Sequence, residues 1–144
     1  MKSSLLSSTL LALACGGPLV TFPADEDSAF KDARVPKPAQ AQEIHYAGEA
    51  GLDHAIDLQF LMPDRAGLEG WLAEIDCVPT ALESGDNAPF SDRTFPEAKD
   101  WWVPAAPADA QVCPHLEAPG YVRDVRLDPL PGGVWRVQVS MFTL

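Results

Sequence analysis

The sequence predicts an α+β domain: a small antiparallel sheet of three to four strands with one packed helix, in the order β-α-loop-β-β, ending in a C-terminal β-hairpin. Three observations support this prediction. Residues 55–62 alternate between apolar and polar side chains, residues 65–76 carry apolar side chains at helical spacing, and residues 121–144 contain two alternating runs around a Pro/Gly turn. The chain of 144 residues has room for one such domain and not for two.

The first strand spans residues 55–62, and Pro63 ends it. Its side chains alternate, four apolar ones on one face and two polar ones on the other: Ile56, Leu58, Phe60 and Met62 against Asp57 and Gln59. Because successive side chains of a strand point to opposite faces of the sheet, this pattern predicts a half-buried strand. A further short strand at Ile44–Tyr46 would be the fourth of the sheet.

The helix is predicted over residues 65–76, with Asp64 as its N-cap, because a carboxylate can accept hydrogen bonds from the free N–H groups of the first turn. Four apolar side chains follow the spacing i, i+3, i+4 and i+7: Leu68, Trp71, Leu72 and Ile75. Gly67 and Gly70 each cost the helix about 1 kcal/mol relative to Ala. We therefore expect packing of the apolar stripe to hold this helix in place.

Residues 79–120 contain seven of the fourteen prolines and predict a long loop with one short helical turn over residues 96–102. Trp101 and Trp102 lie in this loop and have two interpretations. Their rings either pack beneath the loop as core or form a binding surface that stacks on a sugar or a partner protein. Burial under the loop is the commoner role for such side chains.

Cys77 and Cys113 flank this loop and predict a disulfide. The bond would close a loop of about 37 residues and stabilise the fold by about 3.5–4 kcal/mol through the lost entropy of the unfolded chain. The alternative is a metal site in which both sulfurs and His115 act as ligands. Because paired C-x-x-C spacing is absent, the sequence favours the disulfide and predicts no metal and no cofactor.

The C-terminal hairpin consists of residues 121–127 and 134–144 around the turn at residues 128–133. Apolar side chains define one face of both strands: Tyr121, Val125 and Leu127, then Trp135, Val137, Val139 and Met141. Arg123 and Arg126 fall on opposite faces of their strand, and so they do not form one basic patch.

The first residues have the features of an export signal. Lys2 precedes a short apolar run that ends in the residues LALACG at positions 11–16, where Ala12 and Ala14 are the small side chains that signal peptidases accept. Residues 11–16 resemble the lipobox of bacterial lipoprotein precursors. The resemblance implies cleavage before Cys15, a thioether-linked diacylglycerol on Cys15 and usually an N-linked acyl chain such as palmitate. Two alternatives remain: an ordinary secretory signal without lipid, and the first helix of a cytosolic domain.

The resulting organisation is a signal peptide at residues 1–14, a lipidated N-terminus with a flexible acidic linker at 15–42, and a single globular α+β domain at 43–144. The linker prediction follows from its Gly, Pro and acidic residues and from its lack of apolar periodicity. The lipoprotein resemblance also implies an outer-membrane location in a Gram-negative organism, since Gly16 replaces the Asp that tends to retain lipoproteins at the inner membrane.

The net charge of −11 excludes binding modes that neutralise nucleic-acid phosphates. The sequence contains no catalytic motif such as G-x-S-x-G, H-E-x-x-H or a P-loop, and it nominates no catalytic residue. We therefore expect an exported, membrane-anchored lipoprotein of the cell envelope whose domain binds a protein or glycan partner without catalysis. The alternatives are an envelope inhibitor or immunity-type protein against a basic partner, and a small secreted hydrolase that uses carboxylates. Residues 100–104 and the closing strand resemble small uncharacterised bacterial lipoproteins, which implies the same location.

Overall fold

The structure of the chain is a computed structural model that describes residues 22–91, 95, 98 and 100–144. These residues form three helices and seven strands. The helices are α1 (Glu26–Asp32), α2 (Arg65–Glu74) and α3 (Ala88–Ser91), and the strands are β1 (Gln42–Glu49), β2 (Ala55–Met62), β3 (Thr80–Ala81), β4 (Gln111–Val112), β5 (Leu116–Ala118), β6 (Tyr121–Pro129) and β7 (Trp135–Thr143). Within this described part, no helix has the length and apolar character that a membrane span requires. The predicted signal peptide and Cys15 lie outside it, as do Pro96, Glu97 and Lys99 of the predicted helical turn.

The strands form one antiparallel sheet in the spatial order β1-β2-β7-β6-β4-β3, and β5 pairs with β6 on the same side as β4. The predicted sheet of three to four strands is therefore an undercount. β3 and β4 have two residues each and β5 has three. Strands this short contain too few residues to show an alternating pattern, which is why the sequence did not predict them. The strand expected at residues 44–46 is the middle of the eight-residue β1.

The predicted C-terminal hairpin is confirmed. β6 and β7 pair in continuous register from Tyr121 opposite Thr143 to Pro129 opposite Trp135. The chain reverses through a 3-10 turn at Pro131–Gly133, where Gly132 has a φ of 81°. Glycine suits this position because the left-handed region is unfavourable for residues with a Cβ.

One face of the sheet is apolar and packs against α1 and α2. The even-numbered residues of β2 are fully buried there. Phe60 lies at the centre, its ring centroid 5.2 Å from that of Phe30 in α1 and 5.4 Å from that of Trp71 in α2. The predicted apolar stripe of α2 is thus part of the core, and the Asp64 N-cap is confirmed by a 2.7 Å hydrogen bond from the Gly67 amide.

The opposite face of the sheet is polar and also buried, although the alternation along β2 predicted a strand with only one buried face. Five polar side chains lie on this face with exposed fractions of 7 % or less: Asp57, Gln59, Arg126, Asp128 and Gln138. The described residues between β3 and β4, which we call the covering segment, pack over them. Phe90 and Trp102 of this segment are buried together with Ala47 of β1. Tertiary packing of a distant loop thus converts the predicted solvent face into a second interior layer.

Helix α1 lies within the segment predicted to be a flexible linker. Asp25 caps its first turn by accepting a 2.7 Å hydrogen bond from the Ser28 amide. Ala29 and Phe30 are buried against the sheet, and Val35 beyond the helix is buried as well. The described part of the chain is therefore folded from well before residue 43, because a helix of about two turns with two buried apolar side chains is enough to dock on the core.

Candidate ligand-binding cleft

The predicted disulfide between Cys77 and Cys113 is present, with a Cα–Cα distance of 5.5 Å. Cys77 follows the C-terminal end of α2, and Cys113 follows β4 at the side of the sheet. The bond therefore ties the helical layer to the strand that ends the covering segment. Because each sulfur is bonded to the other, neither is a thiolate that could bind a metal together with His115. No metal-binding group of three His, Cys, Asp or Glu side chains occurs among the described residues.

Trp101 and Trp102 have different environments. Trp102 is buried, and its Nε1 donates a 2.9 Å hydrogen bond to the Phe90 carbonyl oxygen. Trp101 is half-buried and stacks on the His45 ring at a centroid distance of 5.5 Å. The two indoles meet edge to face, 5.9 Å apart, so they do not present a common flat surface. Trp102 is thus a member of the buried cluster on the polar side of the sheet, whereas Trp101 packs against that cluster from its edge.

A cleft of about 410 Å³ opens beside the disulfide on the helical side of the sheet. We call it the disulfide cleft. Its walls come from the turn after α1, the end of α2, the connection between β4 and β5, and β6. The lining residues comprise three nitrogen bases, one phenol, two acids and an apolar remainder: Arg34, Arg123 and His115; Tyr121; Glu74 and Asp76; Pro36, Ile75, Cys77, Cys113, Pro114, Leu116 and Val125.

Two guanidinium groups line this cleft. Arg123 is half-buried, and its Nη1 donates a hydrogen bond to the backbone oxygen of Arg34. The Arg34 guanidinium carbon lies 5.5 Å from the centroid of the Tyr121 ring, the distance of a cation–π contact. Burial lowers the pKa of Arg123 below its ordinary value, because the charged form loses hydration.

His115 lies between the disulfide cleft and a second cleft of about 320 Å³ on the polar side of the sheet. Its Nδ1 is 2.7 Å from the Asp124 Oδ1. Because an ionised carboxylate only accepts hydrogen bonds, this contact places a proton on Nδ1 and leaves Nε2 as the nitrogen available to a ligand. The other two histidines are elsewhere, His45 against Trp101 and His54 against Phe22.

No sequence pattern indicates the disulfide cleft, although the alternation along the strand places Arg123 and Arg126 correctly on opposite faces of β6. Arg34 was missed because it lies in the segment interpreted as a linker. One signal was available: Asp25 followed by apolar residues at positions 29, 30 and 33 has the form of a capped helical turn. No local signal reveals the pairing of His115 with Asp124, since their contact depends on the register of β5 against β6.

Comparisons of the chain with protein-family models, with curated proteins and with solved structures found no match in any of the three.

Proposed function

We propose that this chain is an exported protein of the cell envelope, anchored in a membrane by acyl chains on Cys15, and that its sheet domain binds a ligand without catalysing a reaction. The disulfide is the observation that carries the proposal, because disulfides persist in oxidising compartments and are rare in the cytosol. With Cys77 bonded to Cys113, Cys15 is the one remaining cysteine of the chain. It follows directly the small residues at which export signals are cleaved.

The position of Phe22 supports a domain held close to the membrane. Its ring packs on His54, next to the connection between β1 and β2, with centroids 5.3 Å apart. Seven residue steps separate Phe22 from Cys15, and a fully extended chain covers at most about 25 Å over that number. We therefore expect a shorter tether than a linker reaching residue 42 would provide. The end of the sheet that carries the β1–β2 connection would be the one nearest the lipid.

The binding role of the domain is supported by the two clefts that meet at His115. Their volumes of about 410 and 320 Å³ are in the range of small-molecule sites. The walls of the larger one include the disulfide, β6 and the end of α2, so a covalent bond and regular structure fix a large part of its shape. A net charge of −11 would in addition favour a basic protein partner at the outer surface by electrostatic steering.

Cell fractionation with intact-mass analysis tests the anchor. The full chain is expressed in a Gram-negative bacterium, and we expect it in the membrane fraction, with a mass that lacks residues 1–14 and includes acyl chains on Cys15. The Cys15→Ser variant should become soluble or remain unprocessed. The double variant Cys77→Ser/Cys113→Ser is the matched control, since it loses two cysteines and should keep the anchor. A cytosolic parent protein that retains Met1 and has reduced thiols would refute export.

A further inference from the structure

The basic side chains of this acidic protein differ in whether they form ion pairs with carboxylates. Among the described residues, four of them form ion pairs with carboxylates: Lys37, Arg65, Arg126 and Arg136. Three have no carboxylate partner within the same part of the chain. Lys31 is exposed in the last turn of α1, whereas Arg34 and Arg123 both line the disulfide cleft. Both unpaired guanidinium groups thus line the same concave site, the disulfide cleft.

Arg123 is unusual because it is half-buried and its one described side-chain hydrogen bond goes to a neutral carbonyl oxygen. Removing a charge from water is costly unless an opposite charge or a set of hydrogen bonds replaces the lost hydration. The chain has twenty-one acidic residues from which a partner could come, against ten basic ones. An anion from outside the chain would supply the counter-charge that the described residues do not provide.

Arg34 adds an independent observation. It directly follows the C-cap residue Ala33 of α1 and has a φ of 59°. This position after a helix is most often occupied by glycine, because residues with a Cβ are strained in the left-handed region. The chain instead has an arginine there whose guanidinium lies against Tyr121 in the cleft. An unfavourable backbone conformation that places a charged group in a concave site is typical of functional positions.

The rest of the lining determines the size and charge of the anion. Pro36, Pro114 and Leu116 give the cleft an apolar wall, which suits an organic body. Glu74 and Asp76 line the same cleft and, together with the net charge of −11, repel a polyanion. A ligand with a single negative charge still contacts the two arginines, and Glu74 and Asp76 repel it less than they repel a polyanion.

We propose that the disulfide cleft binds a small organic monoanion whose carboxylate lies between the Arg34 and Arg123 guanidinium groups and whose apolar body lies along Pro36, Pro114 and Leu116. Charge-assisted bonds from guanidinium to carboxylate are short and strong, and their fork geometry matches the two oxygens. This inference deepens the proposed binding function by naming the chemical class of its ligand.

Calorimetric titration of the purified full chain carrying Cys15→Ser tests the proposal with sodium octanoate as the probe. We expect saturable binding, with acetate and inorganic phosphate at least tenfold weaker because neither contacts the apolar wall. Arg34→Gly should weaken octanoate binding at least tenfold, which corresponds to about 1.4 kcal/mol. Because glycine suits the backbone at this position, the same variant should unfold at an unchanged or higher temperature. Arg123→Met should lose binding as well.

Arg65→Met is the matched control, since it removes one positive charge from an exposed ion pair with Glu69 that does not line the disulfide cleft. It should bind octanoate like the parent protein. The proposal is overturned if octanoate does not bind, if Arg34→Gly binds it unchanged, or if inorganic phosphate binds as tightly as octanoate. None of these titrations depends on membrane attachment. A soluble, unacylated parent protein that binds octanoate would therefore refute only the proposed membrane anchor. A membrane-anchored protein that binds no octanoate would refute only the proposed ligand site in the disulfide cleft.

Discussion

Arg126 connects the polar side of the sheet to the covering segment that lies over it. It is fully buried on β6, where its Nε and Nη2 donate to the two carboxylate oxygens of Asp128 at 2.8 Å. The same guanidinium also donates to Asn87 Oδ1 and to the backbone oxygens of Val103 and Pro104, all in the covering segment. One buried cation thus replaces its lost water contacts with five hydrogen bonds and fixes the loop above it.

Removing Arg126 should leave Asp128 as a poorly compensated buried charge. We expect Arg126→Met to lower the free energy of unfolding by about 3–5 kcal/mol, as measured by urea denaturation. The double variant Arg126→Met/Asp128→Leu should recover a large part of this loss, because it removes both charges. Arg65→Met, which breaks an exposed pair with Glu69, should change stability by no more than about 1 kcal/mol. A double variant no more stable than Arg126→Met would contradict this account of the pair.

At the level of elements, α1 shows how a short helix becomes part of a core. Seven residues are too few for a helix to be stable in isolation. Its stability therefore comes from packing, since Phe30 is 2 % exposed and its ring contacts that of Phe60. Composition alone suggested a solvated linker because the segment contains glycines, prolines and a cluster of acidic residues and shows no apolar periodicity.

The packing of α1 can be measured by truncating its main contact. Phe30→Ala should lower the free energy of unfolding by about 3–5 kcal/mol, the usual cost of removing a buried aromatic ring. Leu52→Ala is the comparison variant, because Leu52 is fully exposed and its truncation should change stability by about 0.5 kcal/mol or less. Equal, small effects of both substitutions would mean that residues 22–42 behave as a linker after all.

The cap of α1 predicts a dependence on pH. Hydrogen bonding from the Ser28 backbone and side chain lowers the pKa of Asp25 below its ordinary value of 3.8. A group whose folded pKa lies below its unfolded one stabilises the fold above the unfolded pKa and loses this effect as the pH falls through the folded pKa. The stability difference between the parent and Asp25→Ala should therefore be constant near neutral pH and vanish in acid. An NMR titration that finds the Asp25 carboxyl above 3.8 would be inconsistent with the cap.

For the whole molecule, the disulfide is the link between the two sides of the sheet. The sequence separation of its cysteines is 36, and the loop that they close contains the entire covering segment. Reduction would release this segment from α2 and remove one wall of the disulfide cleft. Reduction should therefore lower both the stability of the protein and its affinity for octanoate. Arg34→Gly should instead lower the affinity and leave the stability unchanged or higher.

The double variant Cys77→Ser/Cys113→Ser should lower the free energy of unfolding by about 4 kcal/mol, on the chain-entropy model for a loop of this length. Urea denaturation of the variant, in parallel with the parent protein carrying Cys15→Ser, measures the difference. We also expect octanoate binding to weaken at least tenfold at temperatures where the variant stays folded. A variant as stable as the parent would show that the covering segment is held by Arg126 and the aromatic contacts alone.

Several elements could be predicted from local sequence patterns, because the residues that make up each pattern also form the element. Side-chain alternation with a Pro/Gly turn determined the C-terminal hairpin, and apolar residues at helical spacing after Asp64 determined α2. The disulfide followed from the parity and placement of the cysteines. The two-residue strands did not, since β4 exists through pairing with β6 and β3 through pairing with β4, and not through any property of their own residues.

The amino-acid sequence by itself determined the α+β class, the longer strands, α2 and the pairing of Cys77 with Cys113, since neighbouring residues or residue types encode each of them. Tertiary structure alone decided that both faces of the sheet are buried and that Arg34 and Arg123 share a cleft. These two arginines are 89 positions apart, and their contact arises because α1 packs on β1 and β2 while the turn that follows it reaches β6. Contacts between residues so far apart depend on the complementary shape and burial of the packed elements. The spacing of apolar residues within one segment contains no information about them.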